Sequence, residues 1–284
     1  MKKQLEEEII DSINYFKSIN DDIKTIKVFE NKIIKVNNPH LSYWFAKNIN
    51  GANIEKHEQV VLDSKDIYYN FLFARDIEGA LIKEHGKVII DSKNLEYNID
   101  YPKMFEDADK EAHAKVILES NDPKANYYFI SLVSNINTLP HKKIILDSKD
   151  LNVIYLLARY LDRDNWRDYE HIFLDAKDPN YCYKFVRYIS CKNYKKHEQI
   201  VLDSKDLESN FLFALNIRGA DTLAHEKVIL DSNDLEYMYL FATNIKGIKK
   251  RKYKEIIRNK EENDYKVLIN KIDDKINVLK NINE

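Results

Sequence analysis

Histidine is the residue of this chain with the most chemistry to offer, since it ligates metals and moves protons near neutral pH. Six of the eight histidines, His57, His85, His113, His141, His197 and His225, share one register at multiples of 28 residues. The same register also holds Phe29, Tyr169 and Tyr253, which do not substitute for a soft metal ligand. Copies one repeat apart stand too far from each other to share an ion that needs its ligand nitrogens within about 2.1 Å. The strings HEQVV from His57 and HEQIV from His197 begin like a zincin helix and lack its second histidine. Packing and hydrogen bonding are the expected use of the column.

The carboxylates read the same way. A DSKD turn brings paired acids together, and paired acids can do acid–base work. These aspartates, however, recur in every repeat at a position where a helix cap is wanted. Cys182 and Cys191 have neither metal nor disulfide spacing, and no glycine-rich phosphate loop or nucleophile elbow occurs. The expectation is a non-enzyme with no catalytic residue, no metal and no cofactor.

The elements that carry these residues are set by the repeat. LDSKD appears at 62–66, 146–150 and 202–206, with IIDSKN, ILESND, FLDAKD and ILDSND in the intervening and following copies. The register column reads Ser64, Ser92, Ser120, Ser148, Ala176, Ser204 and Ser232, with Val36 one unit earlier and Lys260 one unit later. A constant period with atypical ends predicts a stacked array with caps.

Each unit predicts two helices. The apolar run before the serine, such as Val60, Val61 and Leu62, gives a short amphipathic helix A. Asp66, Asp122, Asp150, Asp178, Asp206 and Asp234 are expected to cap helix B. Pro39, Pro123 and Pro179 follow that cap at the favoured first helical position. Helix B is expected to bury Tyr155, Ala158 and Leu161, Phe211, Ala214 and Ile217, and Tyr239, Ala242 and Ile245, beside a column of Phe73, Phe129, Phe185, Phe213 and Phe241. Gly51, Gly79, Gly219 and Gly247 are expected to be left-handed C-caps of helix B. Pro102, inside helix B of the third unit, predicts a kink or an early end.

With its helical hairpins, the chain resembles the α-solenoid class of HEAT, armadillo and tetratricopeptide arrays over roughly residues 22–273, with a shorter repeat and no motif of any one of them. The resemblance implies an all-α, right-handed solenoid, curved so that its inner surface holds a partner. The expected organisation is an N-terminal capping helix at 1–21, eight αα repeats at 22–245, and a degenerate repeat with C-terminal capping helices at 246–284.

Function is expected where the units differ. One stripe along helix B carries Trp44, Tyr69, Tyr97, Met104, Tyr128, Tyr160, Tyr181, Lys184, Tyr188 and Tyr237, of which the tyrosines, tryptophan and methionine are types enriched at protein interfaces. With Arg187, Lys192 and Lys195 they form the expected partner-binding set. The expected partner is a protein, with the chain acting as adaptor or inhibitor. Residues with AT-rich codons abound, which points to a low-GC bacterium, its phage or a large DNA virus. For a phage or mobile element, a specific case is an inhibitor of a host defence nuclease such as a CRISPR effector. The alternative is a nucleic-acid-binding array using the basic and aromatic run at 181–196 or the basic tail at 246–260. Lysine and arginine number 45 against 47 acids, so nucleic-acid binding needs such a local patch. Acids in the first sixteen residues and the absence of a long apolar run predict a cytoplasmic protein without a membrane partner.

Overall fold

The computed structural model describes residues 23–190, 192–246 and Tyr253. Among these residues the regular structure is helical throughout, with no strand. The helices are α1 (Ile23–Val36), α2 (Pro39–Asn48), α3 (Ile54–Ser64), α4 (Ile67–Asp76), α5 (Ile82–Ser92), α6 (Leu95–Met104), α7 (Lys110–Ser120), α8 (Pro123–Leu132) and α9 (Leu139–Asp147). They continue as α10 (Leu151–Leu156), α11 (Arg167–Ala176), α12 (Pro179–Tyr188), α13 (Tyr194–Ser204), α14 (Leu207–Asn216), α15 (Thr222–Ser232) and α16 (Leu235–Asn244). Odd numbers are helix A of a repeat and even numbers helix B. The chain divides into two compact units between Asp150 and Leu151, with α1–α9 in the first and α10–α16 in the second. Each is a helical solenoid in which helix B packs on the next helix A and the next helix B, as α2 does on α3 and α4, and α12 on α13 and α14. The expected capping segments 1–21 and 246–284, with Gly247 and the tail cations Lys249, Lys250, Arg251, Lys252 and Lys254, lie outside the described residues, Lys246 and Tyr253 excepted.

The DSKD turn shows why its residues repeat. Ser64 Oγ donates to Val61 O at 2.6 Å and accepts from the Asp66 amide at 3.1 Å, so one hydroxyl closes helix A and positions the start of helix B. Asp66 Oδ1 then accepts from the amides of Tyr68 and Tyr69 at 3.0 and 3.1 Å, two of the donors a helix start leaves unpaired. The same cap is made by Asn38, Asn94, Asp122, Asp178, Asp206 and Asp234. Between serine and cap, Lys65 and its equivalents Asn37, Lys93, Asn121, Lys149, Lys177, Lys205 and Asn233 all have φ of 52–57°.

This corrects the glycine expectation. The left-handed cap ends helix A and is carried by lysine or asparagine, at a cost of about 1–2 kcal/mol for lysine. Helix B ends on extended Ile49, Ile77 and Ile217. Gly51, Gly79 and Gly219 come two residues later, at φ of 79°, 79° and 88°, and turn the chain into the next helix A.

Two further expectations change. Pro102 does not end α6, which spans ten residues like α4 and α8. It lies in the last turn, where one lost hydrogen bond leaves the ten-residue span unchanged. The irregular repeat is instead the one containing α10, which widens into a π turn at Leu157–Leu161 followed by a 3-10 turn at Arg163–Asn165. The extra residue in that turn puts Leu161 at 37% exposure, whereas its counterparts Ile217 and Ile245 are at 8% and 5%.

Candidate functional site

The histidine column is fully buried: His57, His85, His113, His197 and His225 have no exposed surface, and His141 has 1%. Each ring packs on the aromatic side chain of the preceding helix B, as His85 does on Phe73 at 5.4 Å and His113 on Tyr101 at 5.4 Å. At four junctions Nδ1 lies 2.7–2.8 Å from an asparagine Oδ1: Asn70 with His85, Asn98 with His113, Asn126 with His141, and Asn210 with His225. The asparagine amide is already committed, since Asn70 Nδ2 donates to Val61 O and Asp66 O, both at 2.8 Å. Its Oδ1 is therefore an acceptor, and the imidazole proton sits on Nδ1.

The opposite nitrogen faces a glutamate from helix A of the preceding repeat, as His85 Nε2 faces Glu58 Oε1 at 3.2 Å. The same carboxylate oxygen accepts the Leu81 amide at 2.7 Å. Gly86 and Ala114 replace the glutamate at the next two junctions, and His113 and His141 have no Nε2 partner among the described residues. At Gly86 a Cβ would stand 3.2 Å from the Tyr101 ring, so the larger phenol takes the space a side chain would need. Burial pushes His85, His113 and His141 each down to about 4, keeping them neutral. No group of acids, histidines or cysteines among the described residues is arranged to hold a metal ion. The column joins consecutive repeats.

The predicted partner-binding residues separate into two units and two degrees of exposure. In the first unit, Trp44, Tyr69 and Tyr97 are half-buried, with Tyr69 stacked on His40 at 5.4 Å and Tyr97 edge-on to Phe71 at 5.3 Å. Met104 and Tyr128 are 50% and 52% exposed. In the second unit Tyr237 is half-buried against the cluster around Phe241, while Tyr160 is 58% exposed.

The run at 181–196 does not form one basic patch. Cys182 and Tyr183 turn into the core, and burial pushes the Cys182 thiol up to about 12. Helix α12 ends at Tyr188, so Lys192 and Lys195 leave with the next element. Lys192 lies 6.0 Å from the Trp166 ring, and Lys195 pairs with Glu198 at 2.7 Å.

What the second unit does assemble is a cleft of about 720 Å³ running from the C-terminal turn of α10 across α12 to the first turn of α14. Tyr160, Lys184 and Tyr188 line it together with Tyr155, Arg159, Tyr183, Asp178, Asp206 and Glu208. Lys184 also lies 4.9 Å from the Tyr181 ring. Arg159, which the stripe did not include, is the centre of one end. Its Nη1 donates to the Tyr155 hydroxyl at 2.7 Å, and its guanidinium carbon is 4.8 Å from the Tyr160 ring and 4.5 Å from that of Tyr188. The guanidinium thus lies against two rings, and apart from the bond to Tyr155 its N–H groups have no recorded partner among the described residues. At the other end Asp178 and Asp206 are engaged as caps, accepting from the amides of Tyr181 at 3.0 Å and Ser209 at 2.8 Å.

No family model, curated protein or solved structure matches this chain. The site is therefore read from its own geometry.

Proposed function

We propose that this chain is a non-catalytic binding protein, an adaptor or inhibitor, which engages a protein partner through its helix B face, centred on the cleft of α10, α12 and α14. The observation that carries this reading is the cleft itself, where tyrosines and cations of α10, its π turn and α12 face the acidic first turn of α14 across open space. Tyrosine and arginine held rigid in a desolvating recess are the usual anchors of protein interfaces. The division of labour along the sequence supports it. Histidine, asparagine, serine and the capping aspartates are consumed in joining repeats, which leaves the helix B face to vary. A nucleic-acid partner has less support, because Asp178, Asp206 and Glu208 line the same cleft and would repel a phosphate chain.

The test is a pull-down from nuclease-treated host lysate with the wild-type chain and with Tyr160→Ala/Lys184→Glu as bait. A stoichiometric protein retained by the wild type and lost from the variant, with unchanged circular dichroism, is the expected result. Capture that survives the substitutions, or that disappears with nuclease alone, overturns the reading.

A further inference from the structure

The repeat supplies an internal template for the cleft. Moving four repeats along the sequence carries Tyr43, Lys47, Arg75 and Asp76 onto Tyr155, Arg159, Arg187 and Tyr188. In the first set one carboxylate gathers the other three side chains. Lys47 Nζ stands 2.7 Å from Asp76 Oδ2, Arg75 Nε 2.6 Å from Oδ1 and its Nη2 3.0 Å from Oδ2, and the Tyr43 hydroxyl donates to the same group. Arg75 first, then Lys47 and Tyr43, hold the Asp76 carboxyl well below the usual carboxylate range. Cations from neighbouring helices α2 and α4 are thus neutralised from within the chain.

In the second set half of this arrangement is kept. Arg159 bonds the Tyr155 hydroxyl at 2.7 Å as Lys47 bonds that of Tyr43 at 2.9 Å. The acid is gone: Tyr188 occupies its place, with its ring 4.5 Å from the Arg159 guanidinium carbon and 6.0 Å from that of Arg187. Among the described residues no carboxylate pairs with Arg159, Arg187 or Lys184, whose recorded neighbours are tyrosines. The space in front of Arg159 is the open cleft.

Resting on the protein-docking reading above, we infer that the cleft takes an aspartate or glutamate side chain of the partner, on an extended segment, with its carboxylate at the Arg159 guanidinium, doing for Arg159 what Asp76 does for Lys47 in the first unit. A fork fixed between two rings is pre-organised for a planar carboxylate and loses little freedom on binding it. The rest of the segment runs past Lys184 toward Glu208. The acids at that end select a single carboxylate over a polyanion, because Asp178, Asp206 and Glu208 oppose a second negative charge.

A display library of random linear peptides, panned on the full chain, tests this. Selected peptides should share one Asp or Glu at a fixed position. Changing that acid to its amide, or Arg159→Gln in the protein, should weaken binding of the labelled peptide about tenfold or more. Tyr188→Asp should rebuild the Asp76 arrangement, fill the site from within and abolish binding, with the thermal midpoint held or raised. If Tyr188→Asp does not fold, the acid-to-amide exchange on wild-type protein decides. Peptides that bind without a shared acid, or that bind folded Tyr188→Asp as well as wild type, overturn the carboxylate site and leave the docking reading standing. Failure to enrich any peptide overturns the carboxylate site as well, and the pull-down with Tyr160→Ala/Lys184→Glu decides the docking reading separately. A single-stranded oligonucleotide that displaces the peptide at equal or lower concentration replaces the carboxylate with phosphate and likewise overturns the inference.

Discussion

The junction between α4 and α5 and the junction between α10 and α11 occupy the same place in the repeat and are built from opposite materials. In the first, Asn70 and His85 meet through a buried hydrogen bond, and Glu58 closes the far side of the ring. In the second, Ile154 replaces the asparagine and Tyr169 the histidine, and the phenol turns to Asp162 on the adjoining loop. Both pairs are buried. The seam therefore needs a consistent set of side chains and not a particular one: an imidazole requires an acceptor for its Nδ1 proton, whereas an apolar neighbour is compatible with a ring that sends its polar atom elsewhere. Ser42 beside His57 and Cys182 beside His197 break the set: neither Nδ1 has a hydrogen-bond partner among the described residues, while Nε2 faces Glu30 at 3.3 Å and Glu170 at 3.5 Å.

The largest expected effect separates the two kinds of junction by pH. At the clean histidine junctions, His113 and His141 are held near 4 by burial, while an unfolded imidazole titrates near 6.5. The unfolded chain then binds more protons, so stability is intact above pH 6.5 and falls as pH drops toward 4. The slope approaches about 1.4 kcal/mol per pH unit for each histidine. Glu58, raised by burial, acts in the opposite sense at His85, and no glutamate occupies its position at the other two. Denaturant unfolding from pH 7 to 4 checks this, and a flat profile for wild type would break the comparison.

Next in size is Asn70→Leu, expected to cost about 2–4 kcal/mol by leaving the His85 Nδ1 proton buried without an acceptor. Ile154→Leu should cost under about 1.5 kcal/mol, since that junction asks only for volume. Equal losses in urea titrations would mean that the hydrogen bond contributes nothing beyond packing. The smallest effect is a gain. His141 Nε2 is a lone pair with no donor opposite Ala114, and Ala114→Gln offers an amide N–H without burying charge. A rise of about 1 kcal/mol is expected, and a loss in thermal denaturation would show that the space is already filled.

Much of this was readable in advance. The capping aspartates, the proline at the first helical position and the structural use of histidine follow from the period and from residue chemistry. The asparagine column was also present in the sequence at Asn70, Asn98, Asn126 and Asn210, fifteen residues before a histidine each time. Its signal was joint variation, with Ile154 before Tyr169 and Met238 before Tyr253, and it appears only when two columns are read together. Within the candidate site, Tyr160, Lys184 and Tyr188 were legible as an interface stripe. Arg159 was not: it shares a column with Lys47, Arg75 and Arg187, and nothing in the sequence distinguishes the one that faces the cleft.

The sequence by itself determined the unit, two short helices joined by a turn whose serine, left-handed residue and cap act within a few residues of each other. Local hydrogen bonds of that kind need no distant partner. Tertiary structure decided which cations remain without an acid. Lys192 and Lys195 lie close to Tyr188 in the chain and leave it with the next helices, whereas Arg159 reaches Tyr188 from the preceding repeat. Neighbourhood on the helix B face is set by stacking of one repeat on the next, and separation along the chain does not report it.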